Sequence, residues 1–195
     1  SYFNAKVPSK FKMDPSNLSL NEKELFAILC PNASKELLGE FSKRIQIHYR
    51  KINKFANTKL YPGIEKILVK LNQNNVPCFI ASNKPQEPLN KIIIENGWDQ
   101  YFEKWISPDF IEGETMSKKE MIKYLIKGFD SKSRIVYIGD SYTDIIASKV
   151  NKIMSIGVLY GDGKPELVRN EDPDFIVNNI DELYEFIFHD ANRME

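Results

Sequence analysis

Histidine, cysteine and long apolar runs are all scarce in this chain, and charge of neither sign is in excess. The two histidines, His48 and His189, give poor support to a histidine-rich metal centre or a Ser-His-Asp hydrolase. His48 lies within a helical pattern and is read as structural. The two cysteines, Cys30 and Cys78, stand far apart and match no metal-ligand spacing. Cys78 sits in an apolar run and is read as a core residue. Both together suggest a reducing, cytoplasmic setting without a disulfide. No run approaches the roughly 18 to 20 apolar residues needed to cross a bilayer, and Ser1-Tyr2-Phe3-Asn4-Ala5-Lys6 lacks the charged-then-apolar pattern of a signal peptide. Lys plus Arg and Asp plus Glu both number 27. A balanced chain has no bulk reason to coat nucleic acid or an acidic membrane, so neither is expected as a partner.

What is present is enough apolar residues for a sizeable core, in a length of 195 residues that suits one domain with a small appendage. The pattern changes near residue 58. Before it, Asn21 to Leu29 reads as a short helix capped by Ser19 or Asn21, with Glu22 and Glu24 in the first turn, where carboxylates suit the helix dipole. After the break at Cys30-Pro31-Asn32, a long helix is expected from Asn32 or Ser34 to about Ala56. Leu38, Phe41, Ile45, His48, Ile52 and Phe55 give it one stripe at three- and four-residue steps.

After Tyr61-Pro62-Gly63, helices and strands alternate. Helices are expected at Ile64–Asn74, Pro88–Asn96, Ser117–Lys127, Thr143–Val150 and Ile180–Phe188. Strands are expected at Val76–Ala81, Lys104–Ser107, Arg134–Ile138, Ile153–Val158 and Phe175–Val177. Such alternation implies an α/β fold with a mostly parallel sheet covered on both faces. Ligands bind such sheets at the carboxyl ends of the strands. That directs attention to Ser82-Asn83-Lys84 and to Gly139-Asp140-Ser141-Tyr142-Thr143-Asp144.

Asp140 lies at a strand tip, and Asp144 follows four residues later. Paired carboxylates in a crevice suit Mg²⁺, which often takes one or two of them with water and a substrate phosphate. Each could instead be structural, Asp140 capping the next helix and Asp144 facing solvent. Ser82 can hold a phosphate oxygen or cap a helix. In Met116-Ser117-Lys118-Lys119-Glu120, two lysines open a helix whose N-terminus is already positive. They point either to an anionic partner or simply to solvent.

Taken in order, these elements are specific. Phe79-Ile80-Ala81-Ser82-Asn83-Lys84-Pro85 resembles the second motif of haloacid dehalogenase (HAD) superfamily phosphatases. Lys118 resembles the third-motif lysine, and Val136-Tyr137-Ile138-Gly139-Asp140-Ser141-Tyr142-Thr143-Asp144 resembles the fourth motif. Leu60-Tyr61-Pro62-Gly63 is similar to the junction where a helical cap returns to the core. Ile156-Gly157-Val158-Leu159-Tyr160-Gly161 is similar to the segment after the fourth motif. The set most resembles phosphoglycolate-phosphatase-like members. It implies a Rossmann-like core over 59–195 and a small helical cap over 1–58.

The resemblance implies a Mg²⁺-dependent hydrolase of small phosphorylated metabolites, in which an aspartate attacks phosphorus and water hydrolyses the aspartyl-phosphate. Ser82, with the Asn83 backbone, would hold a phosphoryl oxygen. Lys118 would offset charge, and Asp140 and Asp144 would bind Mg²⁺, Asp144 directly or through water. The cap would close and exclude water. The family's first motif, Asp-x-Asp-Gly, is nowhere in the sequence; Asp14, in Lys12-Met13-Asp14-Pro15, follows no strand and is rejected as its equivalent. An upstream segment of about 15 to 25 residues, a strand and its turn, is expected to carry it. Without a central strand, two interior sheet edges would stand unpaired. The alternative is a catalytically inactive phosphate- or partner-binding module. Within the family a phosphonatase or a dehalogenase is a further possibility; the phosphonatase would need a cap lysine such as Lys6, Lys10 or Lys12. A receiver domain is excluded because its acidic residues come first. Lys43, Arg44 and Arg50 in the cap are read as solvent-facing.

Overall fold

The computed structural model describes residues 7–12, 22–130 and 134–189. Ser19, Asn21, Asp14 and Lys6 lie outside the described residues, as do the side chains of Lys10 and Lys12. The chain divides into two compact units, 1–54 and 55–195.

The first unit is helical. It holds a short turn of helix, α1 (Ser9–Lys12), then α2 (Glu22–Leu29) and α3 (Leu38–Ile47), the last preceded by a 3₁₀ turn, Lys35–Leu37. Phe26, Cys30 and Phe41 are its buried centre, with Leu25, Leu29, Leu38 and Ile45 packed around them. The Phe26 and Phe41 rings meet edge to face, 5.1 Å between centroids, a geometry that adds to area burial.

The long helix expected to reach Ala56 stops earlier. After α3 the backbone widens into a π turn, His48–Ile52, and Asn53 is extended. Asn53 N–H closes on the His48 carbonyl at 2.8 Å, and Phe55 has a left-handed φ of 50°, which breaks the helical path. The expected stripe fails there too. His48 is exposed, and Ile52 is 60% exposed, so His48 is not the structural residue its spacing suggested.

The second unit alternates as expected: α4 (Ile64–Gln73), β1 (Phe79–Ala81), α5 (Gln86–Glu95), β2 (Lys104–Ile106), α6 (Lys118–Leu125), β3 (Val136–Gly139), α7 (Tyr142–Val150), β4 (Met154–Val158), α8 (Pro165–Asn170), β5 (Phe175–Val177) and α9 (Ile180–Phe188). The Tyr61-Pro62-Gly63 turn enters α4 through Gly63 at φ 94°, a conformation only glycine adopts cheaply. Strand β1 starts at Phe79 rather than Val76, and Val76 is 45% exposed. Cys78 is therefore half-buried rather than a core residue; its thiol faces the Val76 carbonyl. Helix α8 went unanticipated because Lys164-Pro165-Glu166 reads as a loop, whereas proline at the first helical position is favourable.

All strand pairings are parallel, but the sheet is in two parts. β1 pairs β2, and β3–β4–β5 form a separate three-stranded sheet. β1 and β3 thus each have one edge unpaired among the described residues. Burial follows from this. β4, paired on both sides, is buried from Ser155 to Val158. β1 is only half-buried throughout, and Ile138 of β3 is 40% exposed, although both sequences are as apolar as those of parallel strands covered on both faces. One core cluster joins Ile67 of α4 to Ile156, Val158, Val177, Leu183 and Phe186; another joins Ile106, Met116 and Met121. No helix among the described residues is long and apolar enough to cross a membrane.

Candidate active site at the carboxyl ends of the strands

Lys118 is the hub. It opens α6, where Ser117 N and Oγ both donate to the Glu120 carboxylate, at 2.7 and 2.5 Å, and Glu120 N donates back to the Ser117 carbonyl at 3.0 Å, which fixes the helix start. The Lys118 ammonium donates to the Ala81 carbonyl at 2.8 Å and lies 3.2 Å from Asp144 Oδ1. It therefore ties the last residue of β1 to the first turn of α7. Its side chain is 13% exposed and that of Asp144 7%, so the pair is largely out of solvent. The neighbouring Lys119 is exposed.

Asp144 is not a solvated helix residue. Its Oδ2 accepts from Ser141 N and Ser141 Oγ at 3.1 and 2.7 Å, and its Oδ1 accepts from the Tyr137 hydroxyl at 3.2 Å. Gly139 makes room for it: a Cβ there would fall 2.4 Å from Asp144 Cβ. Nor does Asp140 cap α7. Ser141 does so, accepting from Asp144 N. Asp140 is half-buried, and its Oδ2 accepts from Asp162 N and Gly163 N at 2.8 and 3.1 Å.

Ser82 follows β1 and continues its pairing, its N–H donating to the Ile106 carbonyl at 3.0 Å. Its Oγ accepts from Lys84 N at 3.2 Å. The first turn of α5 is held instead by Asp109, which accepts from Gln86 N at 2.8 Å. Ser82 is thus not the cap of α5, and its hydroxyl proton carries no hydrogen bond among the described residues. Asn83 is exposed in the same turn.

Residues 15–158 match the haloacid dehalogenase-like hydrolase family. The chain belongs to this family. Relatives include phosphoglycolate phosphatase of Vibrio cholerae, 28% identical over 68% of this chain and 58% of its own length. The enzyme of the same name from Neisseria meningitidis is 28% identical over 71% of this chain and 60% of its own. The chain thus spans about three-fifths of the curated relatives it matches. A Clostridium difficile protein classed as a phosphatase superposes with a TM-score of 0.83 at 23% identity, over 96% of this chain and 86% of its own. β-Phosphoglucomutase of C. difficile does so at 0.64 and 17%, over 99% and 86%. At those identities the likeness shows the fold alone, and it is the α/β fold expected from the alternating pattern.

Within this haloacid dehalogenase-like core, the carboxylates differ in what they can offer a cation. Both Asp144 oxygens are engaged by protein donors. Asp140 Oδ1 carries no hydrogen bond among the described residues. No group of three or more His, Cys, Asp or Glu side chains placed to hold a metal occurs among them either. Mg²⁺ does not need one, since one or two carboxylates with water and phosphate oxygens satisfy it. The donor set fits Mg²⁺: Asp140 Oδ1 is open to a cation, whereas both Asp144 oxygens already accept from protein donors.

Tyr137 was not singled out by sequence reasoning. Its hydroxyl reaches the Ala81 carbonyl at 3.3 Å as well as Asp144. Burial, then the charge and hydrogen bond of Asp144, push its phenol far above the ordinary range, so it remains a donor. In Val136-Tyr137-Ile138 it looks like another apolar strand residue, and nothing in the sequence separates it from one.

Proposed function

We propose that the protein is a Mg²⁺-dependent phosphatase of small phosphorylated metabolites, phosphoglycolate-phosphatase-like and cytoplasmic. The observation that carries this reading is the Lys118 ammonium held between the Ala81 carbonyl and Asp144. A buried cation at the carboxyl ends of parallel strands is placed to neutralise a phosphoryl group, and such positioning and neutralisation dominate phosphoryl transfer.

In this reading Ser82 Oγ, its lone pair taken by Lys84 N, donates its proton to a nonbridging phosphoryl oxygen. The Asn83 N–H adds a second donor. Asp140 would hold Mg²⁺ through Oδ1, while Asp144 orients Lys118 and Ser141. Mg²⁺ supplies Lewis-acid polarisation and charge neutralisation at the phosphoryl oxygens. The attacking carboxylate belongs on a strand between β1 and β3, and the unpaired edges of those strands support such a place for it. It would displace the alcohol oxygen from phosphorus, and water would then hydrolyse the resulting acyl phosphate.

The test is phosphate release from a panel of small phosphomonoesters by the purified protein including the strand proposed to carry the attacking carboxylate, stripped with EDTA and resupplied with Mg²⁺. Release restored by Mg²⁺ is expected. Binding of inorganic phosphate without turnover of any ester would replace this reading with an inactive phosphate-binding module.

A further inference from the structure

Asp140 is enclosed by a turn that sequence comparison with strand and helix patterns leaves as plain loop, Gly161-Asp162-Gly163. Two successive backbone N–H groups of that turn, from Asp162 and Gly163, converge on the single oxygen Oδ2. The turn also presses against the rest of the residue. A Cβ at Gly161 would lie 2.4 Å from both Asp140 Cβ and Oδ2, and one at Gly163 would lie 1.8 Å from the Asp140 carbonyl oxygen. Neither glycine has a left-handed φ. Their requirement is therefore space beside Asp140, not backbone freedom.

A second contact reaches this turn from the other side. The Tyr61 ring stands edge to face on Tyr160, the residue before Gly161, 5.6 Å between centroids and 77° between planes. Tyr61 belongs to the segment that leads into α4, six residues past the boundary of the second unit at Phe55. Its ring therefore joins that segment to the entry of the turn whose N–H groups hold Asp140.

We propose that Gly161-Asp162-Gly163 is a clamp that fixes Asp140 with one oxygen, Oδ1, presented for a divalent cation, and that the Tyr61 ring braces the clamp through Tyr160. This rests on the reading of Asp140 as the Mg²⁺ ligand. Two N–H donors on Oδ2 stop the carboxylate from rotating and from offering both oxygens at once, which defines a one-oxygen ligand. Tyr61, Gly161 and Gly163 are positioning residues in this scheme; none of them touches the cation. Supports of this kind are worth about 10- to 100-fold in metal affinity.

The experiment measures Mn²⁺ binding, as a stand-in for Mg²⁺, by the electron paramagnetic resonance signal of the free ion, alongside the thermal midpoint of each variant. The full chain is compared with Asp140→Asn, Gly163→Ala, Tyr61→Leu and, as a control, Gly39→Ala, where no atom lies within 4 Å of the added carbon. Asp140→Asn should abolish tight Mn²⁺ binding and Gly39→Ala should leave it unchanged. Gly163→Ala should weaken it about tenfold or more. Tyr61→Leu removes the ring contact with Tyr160 at an exposed site. It should weaken binding by a few-fold while the midpoint shows the protein folded, and so tests the clamp even if Gly163→Ala does not fold. Loss of binding in Asp140→Asn with wild-type affinity in Tyr61→Leu and in folded Gly163→Ala overturns the clamp alone. Undiminished binding in Asp140→Asn overturns the metal-ligand reading beneath it.

Discussion

Lys118 and Asp144 form a largely buried ion pair at 3.2 Å, and each partner is separately fastened to a different strand end. Lys118 holds the Ala81 carbonyl of β1, and Asp144 is held by Tyr137 of β3. The pair therefore connects the two parts of the sheet at the place where a substrate would sit.

Removing one partner leaves the other charge buried and unpaired. Lys118→Met is expected to cost about 3–5 kcal/mol in urea denaturation, the range for broken buried pairs. Adding Asp144→Asn to it should recover part of that loss, because the stranded carboxylate is gone. A double mutant that loses the plain sum of the two single effects would show that the pair is not coupled.

Tyr137→Phe removes a donor to a charged oxygen without changing shape. The expected cost is about 1.5–3 kcal/mol, as for hydrogen bonds to charged groups. An ultraviolet titration should show a phenol of the wild type, absent from Tyr137→Phe, that ionises well above the ordinary range, because burial and Asp144 oppose its ionisation.

Gly139→Ala should destabilise the protein by about 1–3 kcal/mol, the usual cost of overpacking, since the new methyl would meet the Asp144 side chain. A thermal midpoint equal to wild type would contradict the close approach.

Asp174 gives a pH signature away from the site. Burial raises its carboxyl, but hydrogen bonds from Ser155 Oγ and N outweigh this and hold it below the ordinary range. A depressed folded value adds stability that is present above the unfolded pKa and lost as pH falls through the folded one. Asp174→Asn should therefore be less stable than wild type near neutrality, with the gap closing below about pH 4, the ordinary aspartate value. A gap that is constant from neutral to acid would rule out the linkage.

Much of this was legible in the sequence because period and order carry it. The apolar runs at Val76–Ala81, Arg134–Ile138 and Ile153–Val158, with helical patterns between them, gave the parallel α/β core, although the observed strands start later. Ser82, Lys118, Asp140 and Asp144 could be found because each follows or opens an element in a fixed order. The end of α3 was not legible: the stripe of Ile52 and Phe55 continues, and only backbone dihedrals show the π turn. His48 fails for the same reason, since spacing cannot tell a buried face from an exposed one. The roles of Tyr137 and of the Asp162 and Gly163 N–H groups depend on long-range approach, 56 residues between Tyr137 and Ala81 and 22 between Asp162 and Asp140. Local pattern contains no trace of that.

The most direct test of the proposed site is Mg²⁺-dependent phosphate release from a small phosphomonoester by wild type, Lys118→Met and Asp140→Asn, each including the strand proposed for the attacking carboxylate and each first shown to be folded. The account predicts turnover by wild type and a fall of about 100-fold or more in both variants, the scale of losing one preorganised electrostatic contact. Turnover that survives in either folded variant would contradict it.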